Sequence, residues 1–358
     1  LVVNWKNVAV LAICLIVGVN SHAVINDSFN LELSGQVSVW SMEKNASDSW
    51  MNNSGVRYLP ALSVGRSLSD DISFEADIAL NGYWYMESEN SPVSEFDLYR
   101  LKYQLTNNIS DLRLGLQKLN FGPGHLLRPL MWFDYIDPRD PLKMTNGVWA
   151  VRYRRFFSNN ANLWFWGLYG NEGTRGNDEY TTAEDEPEFG GRLQYPVPRG
   201  EVGVSVHHRQ AILDETKPSF SENRLALDGR WDVLIGLWFE AAIIERRTET
   251  ITYKWMKSAM IGGDFTFGFG NGLYMLCEHE SITRSHEWQN SSQNFQILAY
   301  MLSYPLNLLD NLNLYGTYSW EQEKLYNYIG WQRIYDNWII NLNLFMYPEN
   351  KSINNDNQ

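Results

Sequence analysis

Between residues 72 and 81 every second residue is apolar. Ile72, Phe74, Ala76, Ile78 and Leu80 alternate with Ser73, Glu75, Asp77, Ala79 and Asn81. Side chains of a β-strand point alternately to opposite faces, so this run has one oily face and one wet, charged face. The pattern recurs along the chain. Phe29, Leu31, Leu33, Val37 and Val39 take turns with Asn30, Glu32, Ser34, Gln36 and Ser38. Tyr99, Leu101, Tyr103 and Leu105 take turns with Arg100, Lys102 and Gln104. Trp338, Ile340, Leu342, Leu344 and Met346 take turns with Asn337, Asn341 and Asn343. Each run is about ten residues, the length a tilted strand needs to cross a bilayer.

The connections alternate as well. Short polar turns fall at residues 69–71, 106–110, 158–160, 198–200, around Asp232, 270–271 and 308–311. Long polar or acidic stretches lie between them, at 43–55, 87–96, 122–146, 171–186, 213–222, 246–253, 284–293 and 321–328. An up-and-down barrel with one quiet rim and one elaborated rim requires such alternation. A β-sandwich facing water gives no reason for it. The count predicts an all-β, transmembrane, antiparallel barrel of about sixteen strands, with both termini at the short-turn rim. Closure satisfies every backbone group without a sheet edge in hydrocarbon.

The ends and the composition fit export. Lys6, an apolar run over residues 8–19 and Ser21-His22-Ala23 read as a secretory leader cleaved after Ala23. The run is shorter than the roughly 20 residues of a spanning helix. Residues 1–23 are thus expected as leader, 24–347 as barrel and 348–358 as a tail. Cys277 would be the one cysteine left, so no intrachain disulfide is expected. The net charge of −13 offers no footprint for nucleic acid. The 15 Trp, 20 Tyr and 16 Phe suit a barrel with interfacial aromatics, for which Tyr99, Tyr153, Tyr318 and Trp320 have lipid-facing parity.

With the leader, the strands and the alternating connections in place, the mature chain resembles the Gram-negative outer-membrane porins. The resemblance is architectural. It implies an outer-membrane location, contact with lipid and a homotrimer. It also implies that the third long loop, "GPGHLLRPLMWFDYIDPRDPLKMTN" at residues 122–146, folds inward to narrow the channel. Its four prolines stiffen it, and Leu130, Met131, Trp132 and Phe133 give it an apolar side to bury. An outward cap is the other disposition open to it.

Inward parity gathers cations on neighbouring strands: Arg100 and Lys102, then Arg113, then Arg152 and Arg154. Glu75 and Asp77 lie on the next strand, while Arg192, His207, Arg209, Arg230 and Arg246 come further round. The constriction loop contributes Arg128, Trp132, Asp134, Asp137, Arg139 and Asp140. Two readings are open. Loop carboxylates facing wall arginines would set a transverse field favouring anions. Alternatively the charges pair off and leave little selectivity. The remaining acids, Asp178 and Glu184-Asp185-Glu186 among them, are expected in outer loops. Tyr83, Trp238 and Tyr300 are candidate sugar-stacking surfaces, or simply space fillers.

Other signals are weaker. In "CEHE" (277–280) a strand sends Cys277 and His279 to one face and the glutamates to the other, short of a zinc site. No nucleophile motif accompanies the scattered histidines, so no enzyme is expected. No cofactor is implied. The expected function is a passive diffusion channel for small hydrophilic solutes with a basic wall. The alternatives are a specific channel or exporter for an anionic saccharide, and a non-conducting scaffold or adhesin.

Overall fold

A computed structural model describes residues 9–26, 29–46, 49–87, 91–137, 140, 142, 144–213, 218–290 and 292–348. The strands in chain order begin with β1 (Ala9–Asn26), β2 (Phe29–Ala46), β3 (Ser49–Ser69) and β4 (Ile72–Glu87). Next come β5 (Val93–Asn107), β6 (Ser110–Gln117), β7 (Val148–Phe156), β8 (Asn162–Leu168) and the two-residue β9 (Thr181–Thr182). β10 (Glu188–Val197), β11 (Gly200–Ile212), β12 (Phe220–Asp232), β13 (Gly236–Arg247) and β14 (Trp255–Phe267) follow. The chain continues through β15 (Leu273–Ser285), β16 (Gln293–Pro305), β17 (Asp310–Ser319), β18 (Lys324–Ile334) and β19 (Trp338–Met346).

Every strand pairs antiparallel with its neighbours, β8 pairs with β10, and β1 joins β19 to β2 to close the ring. The wall is a closed barrel of 18 strands, with β9 as an addition paired to β11. The period-two pattern explains the wall. Leu33, Ile78, Val151, Phe165, Leu225 and Ile261 point outward and stay exposed, an apolar band of the kind that faces lipid. Their neighbours point into the bore. Tyr153 and Trp320 share the outer side.

The two strands beyond the expected sixteen sit at the ends of the chain. A turn at residues 335–337 separates β18 from β19, where a single strand was expected to run on. The segment read as a leader is described as strand β1. One more strand at each end also moves both termini to the long-loop rim, where Ala9 pairs with Met346. β1 differs from the other strands in composition: Ile13 and Leu15 point outward, while Cys14 and Ile16 are buried on the opposite face. Of the tail, residues 349–358 lie outside the described residues.

One bulge overturns a lipid-facing expectation. The register between β4 and β5 shifts at Ala79/Leu80, leaving Tyr99 without a partner in the ladder. An extra residue re-aims its side chain, and the Tyr99 hydroxyl accepts a hydrogen bond from the Thr145 N–H at 3.3 Å. Tyr99 therefore meets the loop rather than lipid. Tyr300 moves the other way. It pairs with Cys277, on the face opposite inward Glu278, and its hydroxyl bonds outer Asn327 at 2.7 Å.

Candidate functional site

Part of the inner wall is apolar, and this decides what enters the bore. β7 and β8 turn Val148, Ala150, Trp164, Trp166 and Leu168 inward, and β12 and β13 add Ala226 and Ala242. Apolar residues facing a water-filled lumen must be covered. Phe121, Leu130, Trp132 and Phe133 of the β6–β7 loop pack onto them in one buried cluster. Burying four such side chains contributes on the order of 6–12 kcal/mol before ordering costs.

Wall carboxylates then hold the loop backbone. Glu240 accepts hydrogen bonds from the N–H groups of Gly124 at 2.7 Å and Leu130 at 2.9 Å. Glu278 accepts from His125 at 2.8 Å, Leu126 at 2.7 Å and Leu127 at 2.6 Å. The Trp238 indole N–H also donates to Glu278 at 2.8 Å, and the His125 ring lies edge-on 4.9 Å from Trp238. Trp238 thus buttresses the loop. The loop leaves the wall at β6 and is anchored on β13 and β15, so it crosses the bore.

A second segment joins it, contrary to the sequence reading. Asp178 was expected in an outer acidic loop, yet its carboxylate is buried between Arg209 (2.6 Å) and Arg224 (2.5 Å). Glu222 on β12 meets Arg209 at 2.7 Å, Arg224 at 2.5 Å and Arg246 at 2.9 Å. Glu179 reaches Arg246 at 2.8 Å and also pairs with Arg284. The two loops touch: the Asn177 N–H donates to the Met131 carbonyl at 2.9 Å. The physical reason is charge. Near Asp178 the inner faces of β11–β13 set Arg209, Arg224 and Arg246 around the single wall acid Glu222, and the β8–β10 loop supplies the missing carboxylates.

The expected basic wall comes together as follows. Register sets Arg113 opposite Arg152, and Asp111 opposite Arg154. Asp111, absent from the sequence-derived candidates, pairs with Arg152 and with Arg113 at 3.2 Å. Arg154 lies 4.7 Å from the Trp164 ring and bonds Asn162 at 3.3 Å. Lys102 sits between Asp77 at 2.6 Å and Glu75 at 3.0 Å. Arg100 turns to the loop, donating to the Thr145 carbonyl at 2.6 Å. The arc is basic only where three arginines share one aspartate.

The loop aspartates do not face that arc as a row. Asp134 is buried 3.8 Å from Arg128 of the same loop, and burial raises its carboxyl above the usual range. Asp140 caps a turn, accepting from the Leu142 and Met144 N–H groups. Asp137 lines a cavity of about 330 Å³ bounded by Tyr315, Tyr326 and Tyr328 of β17 and β18. Arg139 lies outside the described residues. Glu240 and Glu278 escaped sequence reasoning because their partners are backbone amides more than a hundred residues away. The apolar lumen face of "NLWFWGL" (162–168) was the signal that something covers it.

No family model and no curated protein matches this chain. Solved structures do. The outer membrane channel DcaP of Acinetobacter baumannii superposes with a TM-score of 0.51 at 12% identity, over 95% of this chain and 96% of that one. OmpF of Salmonella typhi, in a complex with daunomycin, gives 0.50 at 9% identity, over 95% and 97%. The chain has the architecture of the Gram-negative outer-membrane porins. Its closed wall and apolar outer band place it in that membrane.

Proposed function

We propose that this barrel is a passive diffusion channel for small hydrophilic solutes, narrowed by residues 122–146 and 171–186. The observation that carries the reading is the one-sided placement of the loops. Most of their charged and amide anchors gather on β11–β13 and β15, with Arg100 of β5 holding Thr145 where the first loop returns to the wall, leaving an arc over β18, β19 and β4 with a hydrogen-bonding inner face. On that arc Gln332 bonds Asn341 at 2.9 Å and Tyr328 bonds Asn343 at 2.6 Å. Further along it the Glu75 side chain is 47% exposed beside Lys102. A bore that is polar along one side, with Glu75 open to water, and filled along the other is constricted, not sealed.

Arg113, Arg152 and Arg154 around the single Asp111 support a modest anion preference. A cavity of about 230 Å³ next to them sets Trp164 and Phe121 beside Arg192 and Arg230, but Glu201 and Asp228 line it too and Asp228 holds Arg192, so an anionic saccharide is the second reading on its stacking surface alone. The test is single-channel current and reversal potential in a planar bilayer under a salt gradient. Arg113→Gln with Arg154→Gln leaves the buried Arg152–Asp111 pair in place. Open channels whose anion preference falls in this variant support channel and wall together. Folded barrels that never conduct sink the channel and favour a scaffold. Current blocked saturably by an acidic oligosaccharide supports the second reading, and chemical cross-linking in membranes tests the homotrimer implied by the porin resemblance.

The same proposal includes export through removal of residues 1–23. Its support is composition: Ala12 to Val17 carry no polar alternation, so this stretch offers the lumen nothing to solvate.

A further inference from the structure

The inner wall of β13–β15 carries four carboxylates; Asp264 accepts a hydrogen bond from the Tyr274 hydroxyl at 2.8 Å, and the other three cluster further along the strands. Glu240, Met260 and Glu280 lie in one cross-strand row, with Glu278 beside Glu280 on β15. Glu240 and Glu278 spend their oxygens on loop amides, and no ion pair reaches any of the three among the described residues. Glu280 differs from its neighbours. It is only 7% exposed, yet no donor or cation meets it among the described residues. It lines a cavity of about 390 Å³ between this wall and the two inward loops. Met256, Ile282, Ile297 and Met131 give that cavity an apolar side, and the Ser258 hydroxyl lies on it too.

The chemistry of the lining narrows the occupant. The cavity's arginines are already spoken for: Arg224 by Asp178 and Glu222, Arg246 by Glu222 and Glu179, Arg284 by Glu179. An anion would find no free cation there and would meet Glu280. A divalent metal needs several oxygen ligands, whereas Glu240 and Glu278 are committed. An uncharged apolar solute would leave the buried carboxyl uncompensated. A compact ammonium brings three donors and one positive charge.

We propose that this cavity is a binding site for small organic ammonium ions. The –NH3+ group sits on Glu280 with Ser258 as a further acceptor, and the alkyl body lies against Met256, Ile282 and Ile297. The site is defined by binding and does not require that the barrel conduct.

The test is calorimetric titration of the folded, full-length barrel in detergent with n-butylammonium at constant ionic strength. n-Butanol and butanoate serve as the uncharged and anionic comparisons. Saturable binding of butylammonium alone is expected. Glu280→Gln is expected to weaken it roughly tenfold or more, as loss of a charge-assisted hydrogen bond implies. Glu245→Gln, on the outward parity of β13, should bind as wild type does. Equal binding of butanol, unchanged affinity in a folded Glu280→Gln barrel, or no saturable binding to folded wild type would each overturn the proposal. Absence of current in bilayers with the titration intact would instead count against the channel reading alone.

Discussion

Glu278 accepts three consecutive loop amides and the Trp238 indole, so one charge fixes both the path of the loop and the aromatic beside it. A glutamine offers one acceptor oxygen and no charge. Glu278→Gln should therefore weaken loop docking by about 2–3 kcal/mol, the scale of hydrogen bonds to a charged group. The expected readout is larger and noisier single-channel current, and an unchanged current would show that the apolar cluster alone seats the loop. Asp134 makes a different prediction. Burial raises its carboxyl, so over a window upward from about pH 4 the folded state holds a proton that the unfolded state has lost. Stability then falls as pH rises through that window and levels off above the folded-state value. Asp134→Asn should abolish this slope and melt higher at neutral pH, as thermal unfolding at several pH values would record. At this scale the arginine positions were legible, because parity says which side chains enter the bore. Their partners were not, because parity is silent on what lies across it.

Elements carry a second lesson in the pair of inward loops. Gly176 has φ of +51°, and a Cβ placed on it would come 2.0 Å from the Met131 carbonyl oxygen. The two loops can touch only because this residue is glycine. Gly176→Ala is expected to part them, breaking the Asn177–Met131 bond and opening residues 171–186 to protease without unfolding the wall. Limited proteolysis in detergent reads this directly, and a cleavage pattern identical to wild type would refute it. The strands themselves were readable from the sequence because the period of two is imposed by two solvents, lipid outside and water inside. The inward course of residues 171–186 was not. An acidic stretch between strands looks the same whether its carboxylates meet water or three buried arginines. The turn at residues 335–337 was hidden because it is only three residues long, and the aromatics Tyr335 and Trp338 at its two ends stack at 3.9 Å.

At the scale of the whole molecule the bore is polarised. Arg113, Arg152 and Arg154 lie on β6 and β7, while Glu240, Glu278 and Glu280 lie on β13 and β15, with the first loop strung between them. In the channel proposed above, these wall acids rather than the loop aspartates would face the arginines of β6 and β7, an arrangement that would orient dipolar solutes. Closure of the ring depends on β1, the segment proposed to leave with the leader. β1 is antiparallel to both β2 and β19, with Val17 opposite Val37 on one side and Trp338 on the other. Without β1, those two strands become parallel neighbours. Their separation at this level would fall from two strand spacings, about 9.6 Å, to one of about 4.8 Å. A disulfide needs Cα atoms roughly 4.4–6.8 Å apart. A barrel carrying Val37→Cys and Trp338→Cys, with Cys277→Ser to remove the other mature thiol, distinguishes the two closures. Processed protein taken from membranes should begin at Val24 by mass spectrometry and should form the disulfide on mild oxidation. Protein refolded with residues 1–23 attached should not. An unprocessed N-terminus in the native membrane, with the two thiols remaining free, would establish β1 as a permanent part of the wall.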